Sequence, residues 1–198
     1  MKRRTFDRIV SMVGFGLSIF LFVAAALLNW GYSFANKSVE DQLAAQKIMF
    51  PAADSPSLMA LPDEDKAVIE KYAGEQLVTG KQAQAYADHY MAVHVRNIAG
   101  GKTYSEISSE ALAAQGAAAA NPKDAALAAK ASALMGQRTT LFMGETLKGL
   151  LGNAYAFWQL GQIAMYSAYA AVLGGILMLI LSILGFMHLR RTSEDATV

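Results

Sequence analysis

An all-α fold is expected for this chain: a transmembrane helical hairpin with two protruding stalk helices and a small helical extracytoplasmic domain. Three observations predict it. Two charge-free apolar stretches, Val10 to Asn29 and Ala164 to Met187, are each long enough to cross a hydrocarbon core about 30 Å thick as a helix. Basic residues flank both on the outer side, Lys2, Arg3, Arg4 and Arg8 before the first and Arg190 and Arg191 after the second. Between the stretches, helix start and stop signals recur and no strand pattern appears.

Composition narrows the classes. With 198 residues, 54% hydrophobic and 17% charged, and a mean hydropathy of +0.27, the chain suits two spans plus one modest domain. The net charge of +1 and the absence of a basic stripe interleaved with aromatics argue against a nucleic-acid partner. No cysteine is present, which removes thiolate metal sites, disulfides and lipid attachment through sulfur. No cofactor is expected.

The basic flanks resist translocation, whereas a long loop crosses largely regardless of its charge. Residues 1–9 are therefore expected to be a cytoplasmic basic N-terminus, 10–29 the first span, 30–163 the extracytoplasmic domain with its stalks, 164–187 the second span and 188–198 a cytoplasmic tail. Trp30, Tyr32, Tyr166 and Tyr169 suit the outer aromatic belt. Ser33-Phe34-Ala35 resembles a small-x-small cleavage site, but the run Ile9 to Leu28 outlasts a signal h-region of about 7–15 residues, so an uncleaved anchor is expected.

If the spans run antiparallel with Arg8 level with His188, residues at equal depth have numbers summing to about 196. Leu21 and Phe22 then meet Gly174 and Gly175, while Ala24 to Ala26 meet Ala170 and Ala171. Gly14, Ser18, Ala170, Ala171, Gly174 and Gly175 are thus candidates for close packing, either between the two spans or with another membrane protein or a second copy. No charge occurs from Gly149 to Met187, about 58 Å of helix at 1.5 Å per residue. Its outer part reads as an amphipathic stalk: Met143, Leu147, Leu150, Leu151, Ala154, Trp158, Gly161 and Met165 recur at helical spacing, with Glu145, Lys148 and Gly152 on the other side. Leu147, Leu151 and Trp158 are candidate interface residues. The expected partner stripe is Val39, Leu43 and Phe50, in a helix opened by Ser38 with Asp41 as a capping pair.

Short helices are expected between the stalks. Pro62 with Asp63, Glu64 and Asp65 opens one that ends at Gly74. Thr79 with Gln82 caps a second, which Gly100 and Gly101 stop, and Thr103 with Glu106 caps a third. Asn121-Pro122 breaks the Ala-rich stretch, and Asp124 starts a fourth helix reaching Met135 or Gly136. The stretch Ala111 to Ala133 has little bulk to bury, which predicts exposed helix or partial disorder around Gly116 to Asn121. Pro51 to Pro62 is expected to be a flexible loop.

Several segments resemble an actinobacterial family of small two-span membrane proteins of unknown function: Gln42 to Ile48, Lys71 to Gly74, Ala85 to Ala87, Gly100 to Tyr104, Gly144 to Leu147, Gly149 to Leu151, Asn153 to Phe157 and Leu184 to Phe186. The resemblance covers most of the chain, although the run Gly116 to Ala120 is longer than in that pattern. Members often carry an automatic label of aromatic ring-opening dioxygenase. The resemblance implies two spans but assigns no functional residues.

The residues give that label no support. Extradiol chemistry needs two His and a carboxylate on one face. His188 lies at the far end of the second span, and His89 and His94, five apart, point about 140° apart on a helix. A surface His89 and a His94 packed on Tyr90 and Met91 or Ile98 is the simpler reading. Gly101-Lys102-Thr103 lacks the earlier glycine of a phosphate loop, since Arg96 stands there. No G-x-S-x-G motif occurs. The sequon at Asn36-Lys37-Ser38 is a chance-frequency pattern. Tyr86 and Tyr90, four apart, form an aromatic ridge that is either core or one wall of a ligand groove. Neither span contains Asp, Glu, Lys or Arg, which disfavours transport by this chain alone. The leading expectation is a non-enzymatic accessory or scaffold protein in the cell membrane. An extracytoplasmic binding or sensing module for lipid or a small ligand is the first alternative, and a membrane-anchored enzyme the second.

Overall fold

The computed structural model describes residues 2–191, so the end of the expected C-terminal tail lies outside the described residues. Among these residues the fold is all-α and contains no strand. In chain order come α1 (Arg3–Gln46), α2 (Pro56–Met59), α3 (Asp63–Ile69) with a 3-10 turn (Glu70–Tyr72), and α4 (Gly80–Ala85) with a π-helical segment (Tyr86–Met91). Then follow α5 (Ala92–Ile98), α6 (Tyr104–Ala120) and α7 (Ala125–Arg191). Helices α1 and α7 are long and apolar enough to cross a membrane, with the shorter helices between them in sequence.

Two expected breaks are absent. The first span and the first stalk form one helix, because after Gly31 nothing from Tyr32 to Gln46 interrupts it. Ser38 is therefore no cap; its hydroxyl accepts from Gln42 Nε2 one turn on, at 3.0 Å. The helix ends where Lys47 takes a φ of +52°, the left-handed position that glycine usually fills. Likewise the helix begun at Asp124, whose Oδ1 accepts from Ala126 N and Leu127 N, does not stop at Gly136. It runs 67 residues to Arg191. A lone glycine costs about 1 kcal/mol relative to alanine and does not break a helix. Thr139 and Thr140 return their hydroxyls to the carbonyls of Met135 and Gly136, within the helix.

The chain divides into two compact units, one of Met1–Lys37 with Gln159–Val198 and one of Ser38–Trp158. In the second, both predicted capping boxes are present, Thr79 with Gln82 and Thr103 with Glu106. Gly74, Gly100 and Gly101 have positive φ at the predicted stops. The segment after Pro51 is not a featureless loop: Ser55 caps α2, accepting from Leu58 N, and Leu58 is fully buried. Burial of one leucine, roughly 2–3 kcal/mol, offsets the ordering of that turn.

The main core joins Val39, Leu43, Phe50, Leu58, Ile69, Leu77, Val93 and Leu151, with Leu147, Ala154 and Trp158 packed on it. The predicted stripe of the first stalk therefore does meet the second. The α7 face is rotated from the one expected, since Leu141 and Leu151 are buried whereas Met143 and Leu150 are exposed. A smaller cluster holds Val95, Ala99, Ile107 and Leu141. Of α6 only Ile107 and Ala111 are buried. Its alanine run is helical through Ala120 and exposed, because high propensity maintains it without bulk to bury.

Candidate functional site

In the unit of Met1–Lys37 and Gln159–Val198, the apolar stretches pack directly, in the predicted register. Ser18 Oγ donates to Gly175 O at 2.9 Å. A methyl on Gly174 would stand 3.5 Å from Leu21 Cδ1, and one on Gly175 3.0 Å from Phe22 Cε1. Ser182 covers Gly14 and Ser11 covers Gly185, so each helix presents a serine and a glycine three residues apart to the other. His188 Nε2 stands 3.9 Å from Asp7 Oδ2.

These contacts explain Gly14, Ser18, Gly174 and Gly175 within the chain itself. As a contact between the two helices Ala170 is corrected: it is exposed, Ala171 only half-buried, and Ala168 is the buried alanine. The reason is phase. Gly161, Ala168, Gly175 and Ser182 recur every seven residues and are buried, as are Ser11, Ser18 and Ala25 on α1, a seam of period 3.5 that turns Ala170 away. Ser11, Ser182 and Ala168 were missed, although the seven-residue recurrence of small residues was legible. At the end of this pair where Arg8 lies, a recess of about 450 Å³ is lined by Lys2, Arg4, Thr5, Arg8 and Leu189.

In the unit Ser38–Trp158 two recesses stand out. The first is a groove of about 350 Å³ between the last turns of α1 and the outer part of α7. Val39, Leu43, Ile48, Leu147, Leu150, Leu151, Ala154 and Phe157 line it, with Ser38, Gln42, Gln46 and Asn153 as its polar groups. None of these residues carries a charge. Leu147 and Leu151 pack on the core and also line this groove, whereas Trp158 packs on the core against Gly80 and does not line it.

Tyr86 and Tyr90 do not line the groove. They are part of the core, with ring centroids 4.8 Å apart, Tyr86 edge-on to Phe50 at 5.2 Å and Tyr90 on His94 at 4.3 Å. The Tyr86 phenol is pushed up to about 12, by burial first and by Tyr90 second. The core reading of this ridge replaces the ligand-groove reading, because their segment packs its aromatic face inward on Phe50. Gln82 is also buried, with Oε1 accepting from Val78 N and Thr79 N and Nε2 donating to Glu75 Oε2 at 2.9 Å. Glu106 is held below its ordinary range, chiefly by the Thr103 backbone N–H and then by the Thr103 hydroxyl.

The second recess, about 230 Å³, is lined by Val68, Lys71, Tyr72, Lys81, Gln84, Ala85 and His89. His89 Nδ1 is 2.8 Å from Asp65 Oδ1. His94 Nδ1 is 2.8 Å from Tyr90 O, so the two histidines have separate partners. Among the described residues no three His, Asp or Glu side chains gather as a metal-binding group. The pairing of His89 with Asp65 spans 24 residues and gave no local signal in the sequence. The π-helical segment Tyr86–Met91, which carries His89, gave none either. Scans against protein-family models and searches of curated proteins and solved structures find no match to this chain.

Proposed function

We propose that this protein is a non-enzymatic accessory component of the cell membrane that crosses the bilayer twice, keeps both termini cytoplasmic and uses its extracytoplasmic unit, Ser38–Trp158, to hold a helix of another membrane protein. One observation carries the reading: the groove along Val39, Leu43, Leu150 and Leu151 is apolar, elongated along two helices and free of charged lining residues. Helix-in-groove recognition needs such a floor for apolar anchors of a partner. Its neutral rim of Ser38, Gln42, Gln46 and Asn153 suits an uncharged helix face and disfavours a charged peptide. Leu150, 62% exposed on the groove's edge, is an apolar surface in need of cover. The basic flanks support the orientation, and the resemblance to the two-span actinobacterial family fits the same architecture.

A photo-crosslinking residue at Leu150 or Gln46, installed in the full chain in native membranes, tests this. A discrete protein adduct is expected at both positions and none at Gly152, around which the structure leaves open space. Equal adducts at all three positions, or none at any, would refute the docking reading. A second reading, a lipid or small-ligand module, is favoured by the groove volume, which lies within the range of small-molecule sites. Adducts to lipid alone at Leu150 would establish that reading instead.

A further inference from the structure

We propose that the recess lined by Lys71, Lys81 and His89 binds a phosphate group, as inorganic phosphate or as a phosphate monoester. The site stands apart from the apolar groove, and its chemistry is opposite in kind. Lys71 follows α3 in the 3-10 turn, Lys81 lies at the start of α4, and His89 comes from the π-helical segment, so three separate stretches of chain bring polar side chains to one concavity of about 230 Å³. No acidic side chain lines it. Among the described residues no ion pair engages Lys71 or Lys81, so two cations face the recess with their charge uncompensated. The amide of Gln84 and the phenol of Tyr72 add neutral hydrogen-bonding groups.

His89 supplies the selectivity. Asp65, itself only 14% exposed, sits 2.8 Å from Nδ1, and a carboxylate can only accept, so Nδ1 is the donor and, in the neutral imidazole, Nε2 is the acceptor. The nearby acid is thereby engaged with the histidine and does not compete for the lysines. A ligand filling this recess must offer oxygens to two ammonium groups and one O–H to Nε2. Hydrogen phosphate and the monoanion of a phosphate monoester do both; sulfate, fully ionised near neutral pH, has no proton to give. The π-helical turn is the structural device behind this: i→i+5 bonding changes the phase of a helix and is commonly kept where a side chain must be re-aimed.

The test uses the full-length protein in phosphatidylcholine nanodiscs. Calorimetric titration with inorganic phosphate should give saturable binding that weakens about tenfold or more in Lys71→Gln/Lys81→Gln, leaves Lys123→Gln/Lys130→Gln unaffected, and exceeds sulfate binding by a similar factor. If inorganic phosphate fails but nanodiscs doped with phosphatidic acid protect the wild type, and not the Lys71/Lys81 variant, against thermal unfolding, the same site takes a lipid monoester headgroup. Both outcomes support the proposal. No saturable binding in either arm, equal loss in the Lys123/Lys130 control, or equal affinity for sulfate overturns it. All four lysines are exposed, so an unchanged melting transition without ligand verifies folding in each variant.

Discussion

The two units of this chain solve packing in opposite ways. In the unit Ser38–Trp158, large side chains such as Leu58, Ile69, Leu77 and Ile107 are fully buried and no Asp, Glu, Lys or Arg is. In the helix pair of the other unit the buried positions are all small, Ser11, Ser18, Ala25, Ala35, Gly161, Ala168, Gly175 and Ser182, while Phe20, Leu27, Leu173 and Leu177 are more than half exposed. Water expels large apolar groups into a core; hydrocarbon does not, so helices there associate through small residues that let backbones approach. The contrast supports the proposed bilayer-spanning pair on grounds other than length and hydropathy.

The largest test of this contrast applies one chemical change to both units. Ile69→Ala should cost about 2–5 kcal/mol, because it empties a fully buried site. Ile180→Ala, at a side chain 50% exposed, should cost under about 0.5 kcal/mol. Denaturant titration of the full chain in mild detergent measures both; equal losses would break the comparison. Next comes overpacking. Gly175→Leu drives carbon into the Phe22 ring and should cost about 1–3 kcal/mol, widening spin-label distances between α1 and α7, whereas Gly16→Leu, with open space around it, should leave them unchanged. The smallest effect sharpens the picture: Ser18→Ala removes the bond to Gly175 O and should cost about 0.6 kcal/mol, the usual size of such bonds between membrane helices. Thermal melts resolving a loss above about 2 kcal/mol would mean that this hydroxyl carries far more than such bonds do.

Much of the fold was legible because its signals are local. Capping boxes at Thr79 and Thr103 and left-handed glycines at 74, 100 and 101 depend on residues three or four apart. The register of the pair was legible too, since basic and aromatic residues mark both ends of each apolar stretch. What escaped was phase and distance. Ala168, and not Ala170, faces α1 because the small residues repeat every seven positions, a period of 3.5 in place of 3.6. The continuity of α1 past Ser38 escaped because a cap-like pair was present in a segment whose neighbours all favour helix. The pairing of His89 with Asp65, and the inward burial of Tyr86 and Tyr90, depend on how α3 and the π-helical segment meet, which no local spacing encodes.

The reciprocal seating of Ser182 over Gly14 and Ser11 over Gly185 has a mechanical meaning. Read in opposite directions, Ser11-Met12-Val13-Gly14 and Ser182-Ile183-Leu184-Gly185 are the same peg and socket, related by a local twofold axis. Sliding either helix by one turn lifts both pegs out together. The clasp therefore opposes axial slippage in both directions, so a pull on one helix along its length is handed to the other.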